Sequence, residues 1–271
     1  MRPRRLSRGR RGWLVLVLTG LIAGLPVVAS SATPAAPANP RPLGIPGKWQ
    51  LVLDSEFDTA SLNKKIWRAG WFGQGLTRPV NVLENDCYSS KNVSFSGTAM
   101  YLSVTHQASF CRGLRFPWTG AIVDTDPRDG RHGGGFQYTY GVLEARVYVP
   151  AAGPLIANWP AVWAVAQRYS SAYGEDDVFE GLAGLACWHF HRSSGSSGGC
   201  DKKIKPGWHI FASDWQDGSV SYYYDGVNVG TITSNISSGP MYVILDNTVR
   251  ANRAKADSMR VKYVRVWQAE S

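Results

Sequence analysis

Three carboxylates lie close together in one short segment of the sequence, Glu175, Asp177 and Glu180. The residues around them are mostly apolar or aromatic, and no Lys or Arg is interleaved. Two carboxyl groups in different protonation states can cleave a glycosidic bond, because one attacks or activates water while the other protonates the leaving oxygen. A third acid between them can hydrogen-bond the attacking group and hold a proton in the site. The alternative is a solvated outer strand, the commoner place for scattered acids.

The same segment predicts a β-strand with an irregularity. Side chains alternate between the two faces of a strand, so Glu175 and Asp177 share a face while Glu180 points the other way. A β-bulge near Phe179 would return Glu180 to the face of the other acids, because a bulge adds one residue to a strand. The three acids can therefore act together only if the strand is bulged here.

Tryptophan is abundant, and two tryptophans lie just upstream of the acids. All but one of the 11 Trp residues follow residue 32. More than half are expected in the core, because each buries a large area. Trp159 and Trp163 are instead predicted to bind substrate, since flat rings in a groove can stack on the apolar faces of sugars.

The elements that must position these residues are short strands. From Trp49 onward, β-branched and aromatic runs alternate with clusters of turn residues, and no long stretch has helical periodicity. Asp225-Gly226 predicts a tight hairpin turn. This pattern predicts an all-β fold, a β-jelly-roll sandwich of two antiparallel sheets. Strands are predicted at 99–104, 141–149, 219–224, 241–245 and 261–267.

Residues 1–32 have the pattern of a secretory signal peptide, with a basic start, an apolar run at Trp13–Val28 and small residues up to Ala32. A membrane anchor is the alternative, but the run is shorter than the roughly 20 apolar residues that a spanning helix needs. The pair Arg10-Arg11 leaves twin-arginine export open beside the general route. Residues 33–45 are predicted to be a flexible Ala/Pro-rich leader, and residues 46–271 a single catalytic domain that is secreted.

Removal of the predicted signal peptide lowers the net positive charge of the chain. The chain has 29 Lys and Arg against 20 Asp and Glu, and six of the arginines precede residue 33, which leaves 23 against 20. No basic patch for nucleic acid survives this subtraction. We therefore expect no nucleic-acid partner, no membrane attachment after signal cleavage, and a monomer.

Four cysteines, Cys87, Cys111, Cys187 and Cys200, allow three disulfide pairings. Export permits disulfides, and the local pairs Cys87–Cys111 and Cys187–Cys200 are predicted because each brackets a loop-like stretch. A metal site is the alternative, but no C-x-x-C spacing supports it.

Five motifs, in order along the chain, resemble those of glycoside hydrolase family 16, the laminarinase-like β-glucanases. The acidic segment G-E-D-D-V-F-E is similar to the family's G-E-I-D-I-x-E signature. The likeness runs from about residue 47 to residue 268. The other four matching segments are Asp54–Asp58, Tyr140–Val147, Trp159–Trp163 and Val261–Val266.

The resemblance implies a concave sheet that forms a glycan cleft, and hydrolysis with retention of configuration. It assigns Glu175 as the nucleophile, Glu180 as the acid/base and Asp177 as the assisting acid. The spacing before Glu180 resembles the bulged laminarinase motif, which implies an endo-acting enzyme on β-1,3-glucan. Mixed-linkage glucan, agar or carrageenan as the substrate, a transglycosylase, and a glycan-binding protein without catalysis remain alternatives.

The resemblance also suggests further residues of the cleft. Of the two histidines on one face of the next strand, His189 and His191, the second is favoured as a substrate-binding residue. Glu84 and Asn85 are placed along the cleft, near Tyr88.

Two departures from the family pattern stand out. Asp176 replaces an aliphatic residue on the face expected to point between the sheets, where an acid needs a partner. Lys262 replaces an aspartate that helps to bind a structural calcium in many relatives, although Glu56 remains. No cofactor is therefore expected, and the calcium is in doubt.

Overall fold

The computed structural model describes residues 39–128, 134–167, 173–250 and 254–270. The predicted signal peptide and residues 33–38 of the predicted leader lie outside the described residues. The described residues form strands and two short 3-10 helices, Ser90–Asn92 and Leu182–Gly184. None of their helices is long and apolar enough to cross a membrane. Numbered along the chain, the strands are β1 (Trp49–Glu56), β2 (Arg68–Ala69), β3 (Leu76–Thr77), β4 (Asp86–Ser89), β5 (Val93–Phe95), β6 (Met100–Ser103), β7 (Ser109–Cys111), β8 (Leu114–Phe116), β9 (Trp118–Asp124), β10 (Gly141–Val149), β11 (Ala151–Ala152), β12 (Leu155–Ile156), β13 (Trp159–Ala166), β14 (Glu175–Glu180), β15 (Ala186–Arg192), β16 (Gly195–Asp201), β17 (Gly207–Gln216), β18 (Ser219–Tyr224), β19 (Val227–Ile232), β20 (Met241–Thr248) and β21 (Ser258–Ala269).

Two large sheets pack face to face, which confirms the predicted jelly-roll sandwich. The eight-stranded sheet has the order β19-β18-β17-β10-β21-β6-β5, with β1 also paired to β21. The nine-stranded sheet has the order β16-β15-β14-β13-β20-β9-β4-β3, with β2 also paired to β9. Neighbouring strands are antiparallel, except that β4 and β9 run parallel.

The main hydrophobic core lies between the two sheets. Phe179 of β14 stacks on Phe211 of β17 with ring centroids 4.1 Å apart, so this contact joins the two layers. Burying a side chain of this size contributes about 1.5–3 kcal/mol. The predicted core strand 141–149 is observed as β10 with the same bounds, and the strand at 219–224 as β18.

The predicted hairpin turn is also present. Asp225 and Gly226 connect β18 and β19 and have φ angles of +48° and +80°. Two successive positive φ angles match the twist of a two-residue hairpin, which explains the preference for Asp-Gly.

Both predicted disulfides are confirmed, and no cysteine is free. Cys187 and Cys200 face each other on β15 and β16. The Cys87–Cys111 bond ties β7 to β4. The Cys87–Cys111 bond therefore anchors the β7–β8 hairpin to an inner strand of the nine-stranded sheet.

Residues 40–45 of the predicted leader contact the domain. The indole N–H of Trp267 donates to the carbonyl of Pro40, and the N–H of Leu43 donates to Glu144. Ile45 packs with Trp267 in a small cluster on the outer face of the eight-stranded sheet. This part of the predicted leader is therefore packed on the domain, because its apolar side chains cover that face.

Candidate active site

Strand β14 carries the bulge that the acidic segment requires. Asp177 pairs with Trp163 on β13, whereas Phe179 pairs with the next residue, Val162, so Val178 is the extra residue. Val178 and Phe179 are both fully buried between the sheets. Two consecutive apolar side chains that both enter the core break the alternation and turn Glu180 back to the opposite face. The bulge is thus confirmed, with Val178 as the inserted residue beside Phe179.

The three predicted catalytic acids consequently line one cavity on the outer face of the nine-stranded sheet. Asp177 lies between the other two. Its carboxylate oxygens come within 4.8 Å of those of Glu175 on one side and of Glu180 on the other. This is the arrangement that the resemblance implies for nucleophile, assisting acid and acid/base.

Burial raises the pKa of Glu175 above its usual 4.5. His191 and the hydroxyl of Tyr173, which donates to Glu175 Oε2 at 2.9 Å, oppose this rise by favouring the charged carboxylate. Burial also raises the pKa of Asp177 well above its usual value, and the neighbouring charges of Glu180 and Glu175 raise it further. Asp177 is therefore the acid of the three best suited to keep a proton between two carboxylates.

Two neighbours hold Glu180 in place. The indole N–H of Trp159 donates to Glu180 Oε1 at 3.0 Å, and His189 Nδ1 lies 2.8 Å from Glu180 Oε2. Both carboxylate oxygens thus have a partner. This fixes the position of the carboxyl group relative to β13 and β15.

Both histidines of β15 reach the three acids. His191 Nε2 lies 3.0 Å from Asp177 Oδ2, so this histidine does reach the site. His189, which is two residues away on the same face, also reaches it through Glu180. Period-two alternation along β15 places both rings on the cleft side. The strand register pairs His191 with Glu175 and His189 with Asp177, but each ring reaches the next acid along β14, which is Asp177 for His191 and Glu180 for His189.

The two predicted aromatic residues border the acids in different ways. Trp159 is half-buried and lines the cavity of the three acids. Trp163 is only 7% exposed, and its indole N–H donates to Asp246 at 2.7 Å. Trp163 therefore forms part of the cleft floor, whereas Trp159 keeps an accessible edge.

Of Glu84 and Asn85, which the resemblance places along the cleft, only Glu84 lines the cavity of the three acids. Its carboxylate accepts the N–H of Val80 at 2.8 Å, and burial together with the charge of Asp86 raises its pKa to about 8. Asn85 is half-buried and donates its backbone N–H to the carbonyl of Val249. Asn85 is not among the residues that line the cavity, and Tyr88 is fully buried beneath it.

A second, larger cavity of about 380 Å³ adjoins Glu175. It includes Glu175 but neither Asp177 nor Glu180. Tyr173 was missed from the sequence, although its position two residues before Glu175 puts it on the same face of the chain. Four other residues of this cavity that the sequence analysis did not identify come from loops, where no periodicity marks them. They are Trp71, Phe72, Arg78 and Arg112.

Asp176 lies on the opposite face of β14, fully buried between the sheets. Its Oδ2 accepts a hydrogen bond from Ser213 Oγ of β17 at 2.6 Å, whereas its Oδ1 has no partner among the described residues. Burial raises its pKa from 3.8 to about 6, against the opposing effect of the hydrogen bond from Ser213. The expected partner is therefore present, but the carboxylate is only half satisfied.

The residues near Lys262 do not fit a structural calcium. Arg265 forms ion pairs with both Asp54 and Glu56, so the carboxylates nearest to this position are neutralised by a guanidinium. Calcium needs six to eight oxygen ligands, and a lysine in place of an acid removes one more. The expectation that the protein needs no cofactor stays a prediction.

Similar solved structures share the fold. The catalytic domain of the Thermotoga maritima laminarinase is 20% identical, with a TM-score of 0.66 over 83% of this chain and 100% of that one. The endo-β-1,3-glucanase from Pyrococcus furiosus is 20% identical, with a TM-score of 0.65 over 82% and 95%. A structure from a study of endo-acting O-glycanases of the human gut microbiota that initiate mucin breakdown is 21% identical, with a TM-score of 0.67 over 85% and 94%.

No family model matches the chain, and no curated protein matches it by sequence. At about 20% identity the structural likeness shows the fold, which is the jelly roll of laminarinases and endo-glucanases of glycoside hydrolase family 16. The fold expected from the sequence motifs is therefore confirmed.

Proposed function

We propose that the protein is a secreted, retaining endo-β-glucanase that hydrolyses β-1,3-glucan. The observation that carries this proposal is the bulge at Val178, which brings Glu175, Asp177 and Glu180 to one cavity with Asp177 between the other two. The bulged spacing and the laminarinases among the similar structures support β-1,3-glucan as the substrate. The two disulfides support export to an oxidising compartment.

The mechanism has two displacements. Glu175 attacks the anomeric carbon while Glu180 gives its proton to the leaving glycosidic oxygen, and this forms a covalent glycosyl-enzyme. Glu180 then takes a proton from water, the resulting hydroxide attacks the anomeric carbon, and the Glu175 carboxylate is released. A protonated Asp177 reduces the negative charge between the two glutamates, so that Glu175 can be ionised while Glu180 holds its proton.

A substrate panel tests the proposal. The mature protein should release reducing ends from laminarin faster than from mixed-linkage glucan, agarose, carrageenan or xyloglucan. An endo-acting enzyme should lower the viscosity of a β-1,3-glucan solution before much reducing sugar appears. Proton NMR of the first products should show the β-anomer. Absence of cleavage on the whole panel would overturn the enzyme, an initial α-anomer would overturn retention, and products longer than the substrate would indicate a transglycosylase.

Tyr173→Phe should move the acidic limb of the kcat/KM profile to higher pH. Glu175 must be ionised to attack, so kcat/KM rises as the pH rises through the pKa of Glu175. The hydroxyl of Tyr173 stabilises the ionised form, so its loss should raise the pKa of Glu175. The measurement is kcat/KM on laminarin between pH 4 and pH 8.

Tyr140→Phe is the matched control. This substitution also removes a hydroxyl that donates to a carboxylate, Asp217, at 3.0 Å. Tyr140 packs against Trp215 rather than in the cleft. An acidic limb that stays in place in Tyr173→Phe, or that moves equally in both variants, contradicts the assignment.

A further inference from the structure

The larger cavity beside Glu175 contains two arginines that no acid neutralises. Arg78 and Arg112 both line this cavity. Among residues 39–128, 134–167, 173–250 and 254–270, no carboxylate pairs with either guanidinium, and neither side chain has a hydrogen bond. The cavity therefore has two positive charges available to a ligand.

Arg112 lies in a tight turn with a left-handed backbone conformation, next to a disulfide bond. Arg112 and Gly113 form the two-residue turn between β7 and β8, with φ angles of +50° and +73°. The left-handed region costs roughly 1 kcal/mol or more for a residue with a side chain, and turns of this kind favour Asn or Asp at the first position. The bond between Cys111 and Cys87 anchors the hairpin immediately before Arg112.

The two positive charges do not serve the nucleophile. The pKa of Glu175 is governed by burial, His191, Tyr173 and Glu180, and neither arginine contributes. No ion pair joins either arginine to Glu175 in the described part of the chain, so both guanidinium groups remain available to a ligand.

The larger cavity also has aromatic walls. Trp71 and Phe72 line it, and the Trp71 ring lies 6.0 Å from that of Trp163. Aromatic faces stack on sugar rings, while the planar guanidinium group binds carboxylate or sulfate oxygens through two parallel hydrogen bonds. The combination suits a sugar that carries an anionic group better than a neutral one.

The position of the cavity fixes which part of the substrate it binds. It contains the nucleophile but not the acid/base, which lies on the side of Trp159. The leaving part of the substrate must face Glu180, so a cavity that contains the nucleophile without the acid/base suits the sugars on the non-reducing side of the cleaved bond.

We propose that the larger cavity binds an acidic sugar unit, so that the preferred polymer is a β-glucan substituted with carboxylate or sulfate groups. This inference rests on the proposed glucanase function for its orientation. It goes beyond that function because it assigns Arg78 and Arg112 as residues that determine specificity. A carboxylate and a sulfate ester present the same anionic oxygens, so both must be tested.

The experiment compares kcat/KM on laminarin, carboxymethylated laminarin and sulfated laminarin of equal chain length and low substitution. The wild-type protein should prefer at least one anionic polymer by about tenfold, the size of one charge-assisted hydrogen-bonded contact. The preference should shrink as salt rises from 0.02 to 0.5 M, because the arginines are partly exposed. The modified polymer with the larger preference, carboxymethylated or sulfated, identifies the anionic group.

Variants assign the effect to the cavity. Arg112→Gln and Arg78→Gln should each reduce the ratio of anionic to neutral kcat/KM toward one. Arg115→Gln is the matched control, because Arg115 is exposed on the same hairpin but does not line the cavity, and it should keep the wild-type ratio. Thermal melting shows whether each variant is folded. If Arg112→Gln does not fold, Arg78→Gln alone tests the proposal.

Equal rates on neutral and anionic polymers, or an equal loss of preference in Arg115→Gln, would overturn the inference. Calorimetric binding of the same three oligosaccharide types to a Glu175→Gln variant separates this outcome from failure of the proposed function. If no polymer is cut but anionic oligosaccharides bind more tightly than neutral ones, the cavity assignment stands and the glucanase is wrong. If neutral laminarin is cut and bound as well as the anionic forms, the glucanase stands and the cavity assignment is wrong.

Discussion

Replacing Glu175 with Gln should lower kcat on laminarin by about four orders of magnitude or more, the size of loss expected when one residue of a nucleophilic unit is removed. The amide keeps the shape of the side chain and can still meet the Tyr173 hydroxyl, so the fold and substrate binding should survive. It cannot attack the anomeric carbon. Single-turnover kinetics should show no glycosyl-enzyme, and intact-mass spectrometry with a slow fluorinated substrate should label the wild type alone.

Glu180→Gln should cost less, about 10²–10⁴-fold, because it removes an acid and base rather than a nucleophile. Its effect should depend on the leaving group. An aryl glycoside whose phenol leaves without a proton should form the glycosyl-enzyme at nearly the wild-type rate, whereas laminarin should not. The same two substrates applied to Glu175→Gln should both fail, so the pair of variants separates the two roles.

Added azide gives an independent check of which acid does what. In Glu175→Gly, azide can attack from the side that the nucleophile occupied and should give the α-glycosyl azide. In Glu180→Gly, azide replaces the water of the second step and should give the β-glycosyl azide. Exchanged anomers would mean that the two roles are reversed. Glu144→Gln, which removes a buried acid on the eight-stranded sheet, is the control and should keep its activity.

The catalytic segment shows what the sequence can predict about this fold. Alternation alone placed Glu180 on the wrong face, and the conflict with the expected chemistry predicted the bulge near Phe179. The structure assigns the extra residue to Val178. Adjacent Val178 and Phe179 were a readable sign, because two large apolar side chains in succession can both enter a core only if the strand is irregular. The Asp225-Gly226 turn and both disulfides were similarly local features.

The residues that the sequence did not reveal depend on contacts between distant segments. Arg112 is 63 positions from Glu175, and only the anchored β7–β8 hairpin brings it to the cavity. Nothing in its neighbours indicates a ligand-binding residue. Likewise, the sequence predicts that Asp176 needs a partner but does not identify Ser213. The residue that faces Asp176 from the other sheet depends on how the two sheets pack.

Asp176→Asn should change how the stability of the protein depends on pH. In the folded state the pKa of Asp176 is about 6, against 3.8 for the ordinary side chain. Between these values the folded protein holds a proton that the unfolded chain has lost, so the free energy of unfolding falls as the pH rises through this window. A difference of roughly two pKa units corresponds to about 3 kcal/mol, which is lost by pH 7 and fully present below about pH 4. Asn does not titrate, so the variant should lack this fall.

The measurement is the free energy of unfolding from urea denaturation of both proteins between pH 4 and pH 8. The difference between them isolates Asp176, because the other buried acids titrate in both. Between pH 4 and pH 8, the free energy of unfolding of the wild type should fall by about 3 kcal/mol more than that of the variant. Asp58→Asn, which removes an exposed acid, should give a curve parallel to the wild type. Parallel curves for Asp176→Asn as well would mean that the Ser213 hydrogen bond compensates fully for burial, and that the half-satisfied carboxylate costs the fold nothing.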